Sequence, residues 1–338
     1  MIRFIDLFCG VGGFRYAAMQ ALSRHGLQGE CVFSSDIDRD CQDVYEKNFG
    51  DRPVGDITLV PPQSLPDFDL LLGGFPCQPF SIIGKGKGFE DTRGTLFFSI
   101  ARILEAKRPA AFVLENVKQL RGHNKGQTLD RIMTVLHDLG YNASWHVYNA
   151  LDFGLPQNRE RIFIVGFRDN LTFQWPIGNQ PMTPLSEILE PSVSPFYDAS
   201  PHIRAKRQEQ MKGVVDIPSP GIWHENKSGH ISVYPFSCAL RAGSSYNYLL
   251  VDGKRRLTGR EMFRLQGFPE TFKLAESYTV ARHQAGNSLP VPVAAAIIDA
   301  VLQTLGNGAT NLPVVEDTNH QMCFVMEPEA TQEVSGNE

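Results

Sequence analysis

Apolar positions keep two rhythms over the first 170 residues. Compact, β-rich runs occur at Phe4–Phe8, Cys31–Ser35, Asp69–Gly73, Ala111–Glu115, Ser144–Tyr148 and Ile162–Phe167 and read as strands. Between them, helical spacing appears near Phe14–Arg24, Arg39–Phe49, Thr95–Ala106 and Thr128–Leu139. Strand and helix in turn predict an α/β fold, a doubly wound and mainly parallel sheet with helices on both faces. The rhythm breaks after Arg168. Residues 171–256 are rich in Pro, Ser, Asn and Gly, with short β-like pieces at Ile231–Val233 and Tyr246–Val251. We therefore expect a smaller, irregular β-rich domain over 171–282. An apolar helix near Leu289–Leu305, with Pro290 and Pro292 at its first turn, returns to the first domain. That domain is thus 1–170 plus 283–306. Residues 307–338 carry six acidic residues and no Lys or Arg, as expected of a mobile acidic tail.

Composition narrows the class. With 42% hydrophobic and 20% charged residues, the 338-residue chain has ample material for a core. No stretch approaches the roughly 18 apolar residues of a membrane span, and the start lacks a signal-peptide pattern. The six cysteines are scattered without a C-x-x-C pair, so reduced thiols, a cytoplasmic location and no metal are expected. The net charge of −5 does not announce a nucleic-acid binder. Residues 201–260 nevertheless hold ten Lys and Arg against four Asp and Glu, either a footprint for phosphates or a solvated face.

Candidate chemistry begins at the first strand. Phe4-Ile-Asp-Leu-Phe-Cys-Gly-Val-Gly-Gly-Phe14 runs from a strand through a glycine turn into a helix, where backbone can approach a ligand. The full G-x-G-x-x-G fingerprint is absent, because position 15 is Arg. The second strand ends in Ser35-Asp36-Ile37-Asp38, which puts a carboxylate roughly 25 residues on, where ribose hydroxyls would lie. Gly55-Asp56-Ile57 adds another acidic point. Carboxylates on successive segments suit a neutral or cationic nucleoside better than a pyrophosphate, and S-adenosyl-L-methionine fits. The cofactor candidates on these segments are Phe8, Gly10, Gly12, Gly13, Asp36, Ile37, Asp56 and Ile57; Asn287 and Ser288 join them only through a family resemblance carried by motifs later in the chain.

A second centre follows the next strand, at Gly73-Gly74-Phe75-Pro76-Cys77-Gln78-Pro79-Phe80-Ser81. A cysteine between two prolines, beyond the carboxyl end of a parallel strand, sits where α/β sheets do chemistry. Further motifs follow in order: Glu115-Asn116-Val117, Gln157-Asn158-Arg159-Glu160-Arg161, Arg256-Leu257-Thr258-Gly259-Arg260-Glu261, Arg264-Leu265-Gln266-Gly267-Phe268-Pro269, and Gly286-Asn287-Ser288 opening the last helix. This ordered series, over about residues 3–305, resembles the DNA cytosine-C5 methyltransferase family. The resemblance implies that Cys77 adds to C6 of cytosine and activates C5. Glu115 then polarises the ring near N3, Arg161 holds O2, and Arg159 positions the loop or the phosphate backbone. It also implies duplex DNA as partner and a flipped-out base. Ser81–Arg93, with Lys85, Lys87 and Arg93, would be a closing lid that grips phosphates, Ser81 entering the vacated stack.

By position, 171–256 resembles the family's target-recognition region, with Lys227, Ser228, Arg241 and Arg260 as DNA-binding candidates. The resemblance further implies a bacterial, nucleoid-associated monomer, either paired with a restriction endonuclease or solitary. The alternatives are the family's tRNA-acting branch, a non-catalytic DNA-binding homologue, and a nicotinamide oxidoreductase that would explain only the glycine turn.

Overall fold

The computed structural model describes residues 1–76 and 96–310; expectations placed on Cys77, Ser81, Lys85, Lys87, Arg93 and the 311–338 tail lie outside the described residues. The first part of the chain winds as β1 (Ile2–Leu7), α1 (Gly13–Arg24), β2 (Gly29–Ser35), α2 (Arg39–Phe49), β3 (Leu70–Gly74), α3 (Leu96–Lys107), β4 (Ala111–Val117), α4 (Gln127–Asp138), β5 (Asn142–Asn149), β6 (Gln157–Asn158) and β7 (Glu160–Phe167). The main sheet has the order β2-β1-β3-β4-β7-β5. β2, β1, β3 and β4 pair in parallel, while β7 runs antiparallel to both β4 and β5. The order departs on both sides of β1, so the loop after β1 stands at the switch point where such sheets hold ligands.

Side-chain alternation explains the two covered faces. Phe4, Leu70, Leu72, Ala111 and Val113 join one apolar cluster with α1; Ile5, Leu7, Leu71, Phe112 and Leu114 join another with α3 and α4. Local chemistry starts the helices. The Asp38 side chain accepts from the amides of Asp40 and Cys41 and caps α2.

Beyond residue 170 come α5 (Leu185–Ile188), α6 (Pro201–Gln210), β8 (Ile222–Glu225), β9 (Ile231–Tyr234), β10 (Ser237–Cys238), β11 (Leu249–Val251), α7 (Gly259–Leu265), α8 (Tyr278–Asn287) and α9 (Val291–Thr310). A small antiparallel sheet has the order β11-β8-β9. The buried Arg207 of α6 ties it together by donating to Trp223 O, Glu225 Oε2 and Asn247 O. Phe263, Phe268 and Phe272 pack on one another and against Phe49 and Tyr16, so the segment around α7 touches the first domain. One expectation needs revision: Gly286-Asn287-Ser288 closes α8 instead of opening the last helix, which starts at Val291.

One helical stretch, Tyr278–Asn307, holds an 18-residue window of mean hydropathy 1.6, but that window is 56% buried within the protein, and α9 packs along α1. It is a core segment.

The glycine turn after β1 has one position with no alternative. Gly12 lies at φ +92°, and a Cβ there would sit 2.2 Å from the Phe49 ring. Gly12→Ala combines a left-handed alanine with overpacking, and we expect a loss of about 2–4 kcal/mol. Thermal unfolding checks this: the midpoint should fall by several degrees, and an unchanged midpoint would mean that Phe49 yields freely.

Candidate active site

The carboxyl ends of the parallel strands open into a cavity of about 700 Å³. Its lining brings together Phe8, Gly10, Asp36, Ile37, Asp56 and Ile57 on one side with Glu115, Arg159, Arg161, Arg241 and Asn287. Eleven residues singled out from sequence therefore share one space, although they come from widely separated segments. Ser288 and Gly13 line a smaller adjoining pocket that shares Phe8, Gly10, Glu115 and Asn287 with the first. Gly12 does not face the cavity; it is taken up by Phe49 and Tyr45.

The acidic side is built by the backbone of the glycine turn. The Gly10 amide donates to Asp36 Oδ2 at 2.7 Å, and the Asp38 amide donates to Asp36 Oδ1 at 2.9 Å. Burial pushes the Asp36 carboxyl up, against the pull of these amides. Each oxygen keeps a further lone pair for a ligand. Asp56 accepts from the Thr58 amide at 2.8 Å and stays exposed. Ile37 is 74% exposed although apolar, so the lining offers an uncovered hydrophobic side chain beside two carboxylates. That donor set fits a nucleoside with hydroxyls and an apolar ring, and it fits the cationic S-adenosyl-L-methionine better than a pyrophosphate cofactor.

The reactive side is held by charge. Arg161 Nε lies 2.9 Å from Glu115 Oε1, both side chains largely buried, and Arg161 Nη1 donates to Glu160 O. Burial raises the Glu115 carboxyl above its ordinary range; Arg161 first, and Arg159 next, pull it back down. Burial likewise works against the charge of Arg161, and Glu115 restores it. The antiparallel register causes this meeting, since Glu115 pairs with Phe163 and Val117 with Arg161, leaving Glu115 and Arg161 diagonal on one face.

Arg159 has another use than the phosphate backbone. It is fully buried, and its guanidinium donates to Leu240 O at 2.8 Å, Gly286 O at 3.0 Å and Ser288 O at 2.5 Å. Beside it, Gln157 donates to Leu265 O and accepts from the Leu240 amide. Gly286 lets the two segments touch, because a Cβ would fall 2.4 Å from Ala242 N.

Arg260 is turned inward as well. It donates to Pro269 O and Phe272 O, so carbonyls occupy the guanidinium expected to meet DNA. Arg241 lines the cavity and lies over Tyr248 at 4.8 Å, whereas Lys227 and Ser228 sit exposed in the β8–β9 turn, outside the cavity lining. Among the described residues no three of His, Cys, Asp and Glu gather as metal ligands. Sequence reading missed the part played by Asn116. Its amide donates to Phe75 O at 2.8 Å, fixing the backbone two residues before Cys77. Its place inside Glu115-Asn116-Val117 was the available signal.

The sequence pattern of the C-5 cytosine-specific DNA methylase family matches residues 2–303. The chain belongs to that family. It is an enzyme, a DNA cytosine-5-methyltransferase. It is 53% identical over 295 residues to the Type II methyltransferase M.NgoBI of Neisseria gonorrhoeae, covering 87% of this chain and 90% of that one. It is 52% identical over 303 residues to M.HaeII of Haemophilus aegyptius, covering 89% and 93%. The fold is shared with the Dnmt2 methyltransferase of S. pombe, at a TM-score of 0.68 and 22% identity over 90% of this chain and all of that one.

Arg159→Lys tests the seam. A compact ammonium cannot reach all three carbonyls that the planar fork spans. We expect a loss of about 1.5–3 kcal/mol, with amide exchange speeding up around 238–243 and 286–289 before the main sheet opens. Unchanged exchange there would mean that the seam does not depend on the fork.

Proposed function

We propose that this methyltransferase transfers the methyl group of S-adenosyl-L-methionine to C5 of a flipped-out cytosine within one short duplex DNA sequence, through a covalent adduct of Cys77 with C6. We further propose that it is the modification half of a Type II restriction system. The observation that carries the reading is the buried Glu115–Arg161 pair, which lines the same cavity as Asp36 and Asp56. Pro76, immediately before Cys77, is also in that lining.

When bound, S-adenosyl-L-methionine supplies an electrophilic methyl group; Phe8, Gly10, Asp36, Ile37, Asp56, Ile57 and Asn287 would hold it. The chain's own residues must make C5 nucleophilic. The Cys77 thiolate forms a bond to C6, and the π pair of the C5–C6 bond shifts to C5, with charge also reaching N3. Glu115, whose carboxyl burial raises above its ordinary range, is the group beside Arg161 that would give a proton at N3. Arg161 is positioned by that same carboxyl and by Glu160 O to donate towards the cytosine O2. Once the methyl group is on C5, the C5 proton passes to solvent, the C5–C6 double bond re-forms as the C6–S bond breaks and the thiolate leaves, and N3 returns its proton to Glu115. A base inside a duplex cannot reach this enclosed pocket, so it must leave the stack.

Methylation of plasmid DNA, read by bisulfite sequencing, should protect cytosines in one short repeated context. Protection without a common context would overturn the claim of specificity. Cys77→Ala should retain DNA binding and lose turnover entirely, and residual transfer above background would remove the covalent step.

Glu115→Gln should lower the single-turnover rate by about 10²–10⁴-fold with little change in DNA affinity. The Glu115 proton is present at low pH and lost as pH rises through its raised value, while the Cys77 thiolate grows with pH. The wild-type rate therefore passes through a maximum, and Glu115→Gln should remove the falling alkaline side. Persistence of that side in the variant would take proton donation away from Glu115.

A further inference from the structure

The stretch from Lys118 to Gly126, Lys-Gln-Leu-Arg-Gly-His-Asn-Lys-Gly, holds three Lys and Arg, one His and no acid, in a chain of net charge −5. It follows β4 without a gap, and the preceding Asn116 and Val117 line the cavity. The stretch is kinked at His123–Lys125, and Lys125 stands eight residues beyond Val117, so even a fully extended chain keeps the two within about 28 Å. That is about eight base-pair steps along a duplex at 3.4 Å each.

The stretch is held in shape. Lys118 pairs with Glu160 at 2.6 Å, His123 Nδ1 shares a 2.6 Å hydrogen bond with Thr128 Oγ1, and Asn124 donates to Gln127. Arg121 is exposed, with its guanidinium 5.9 Å from the centre of the Trp145 ring, and Trp145 itself is 37% exposed. Lys125 is exposed. Among the described residues neither Arg121 nor Lys125 has a carboxylate within ion-pair distance. The nearest acids by sequence are Glu115, six residues before Arg121 and paired with Arg161, and Asp130, five residues after Lys125 in the first turn of α4. The 12-residue α4 begins here without a side-chain cap, so its amino end adds positive potential to the same place.

Two unneutralised cations on an ordered turn beside the cavity, in an otherwise acidic protein, are matched by a regular line of phosphates. We propose that Arg121 and Lys125 form a second contact with the DNA backbone, on phosphates flanking the target site on the β4 side. This contact rests on the reading of DNA as substrate, and it extends the footprint to one flank only. It discriminates no bases, because phosphate contacts carry no sequence information.

The test uses the full chain and duplexes bearing the methylated site, each lengthened on one flank at a time. The wild type should bind more tightly when one particular flank is extended and gain nothing from the other. Arg121→Ala with Lys125→Gln should lose that gain, weakening binding to the long-flank duplex roughly tenfold and lowering the salt slope by about 1.8, or 0.9 per phosphate. Its binding to the short-flank duplex and its rate at saturating DNA should stay unchanged. Arg121→Lys with Lys125→Arg keeps both charges and should restore the gain. Equal affinity and slope for the neutral variant and the wild type would overturn the proposal, as would an equal loss on short and long flanks. A wild type that neither binds nor methylates any duplex would overturn the reading of function itself, an outcome distinct from these.

Discussion

A carboxylate and a guanidinium removed from water are each costly, and they persist only where geometry repays the loss. Glu115 and Arg161 meet that condition through one feature, the antiparallel register of β7 on β4. Side chains alternate along a strand, so a slip of one residue would send Arg161 to the opposite face and leave Glu115 buried alone. The apolar clusters on both faces of the sheet fix the register. The core thereby specifies the active site, since the packing of Leu114, Ile162 and Ile164 determines where the charges stand.

Around this pair the cavity is assembled from loops at a single edge of the sheet. The acidic side depends on amides of the turn after β1, held to the end of β2 through Asp36. The remaining wall comes from Leu240–Gly243 and from the end of α8, brought in by Arg159 and Gln157. The same cation that anchors this wall also lowers the Glu115 carboxyl. Closure of the wall and the acidity of the carboxyl are thus linked through one guanidinium.

Much of this was legible in the sequence, and the reasons differ by element. The six main strands and four of the helices announce themselves because both periods are carried by neighbouring residues. Glu115, Arg161 and the acidic rim were readable because their residue types fit one chemistry in one order. The use of Arg260 was not, and for Arg159 the sequence left loop and phosphate backbone as alternatives, since an arginine that donates to carbonyls looks in sequence like one that donates to phosphates. The partners of Arg159 lie 81, 127 and 129 positions away, beyond the reach of any local pattern. Gly12 misled for a related reason: a glycine needed for Phe49 resembles one needed for a ligand. That the phenylalanines of 263–272 meet Phe49 and Tyr16 was not legible either, because their local spacing carries no mark of the core they join.

The irregular segment after residue 170 is joined to the sheet in two ways. Apolar side chains of both share one core, with Phe173 against Phe167 and Trp175 against Tyr148. Arg159 reaches carbonyls, Gln157 binds a carbonyl and an amide, and β10 lies on β6 by backbone pairing. None of these attachments involves the exposed side chains of the β8–β9 turn. That turn is therefore free to diverge while the cavity behind it remains intact. A chain built this way can renew its outer surface without rebuilding the pocket it encloses.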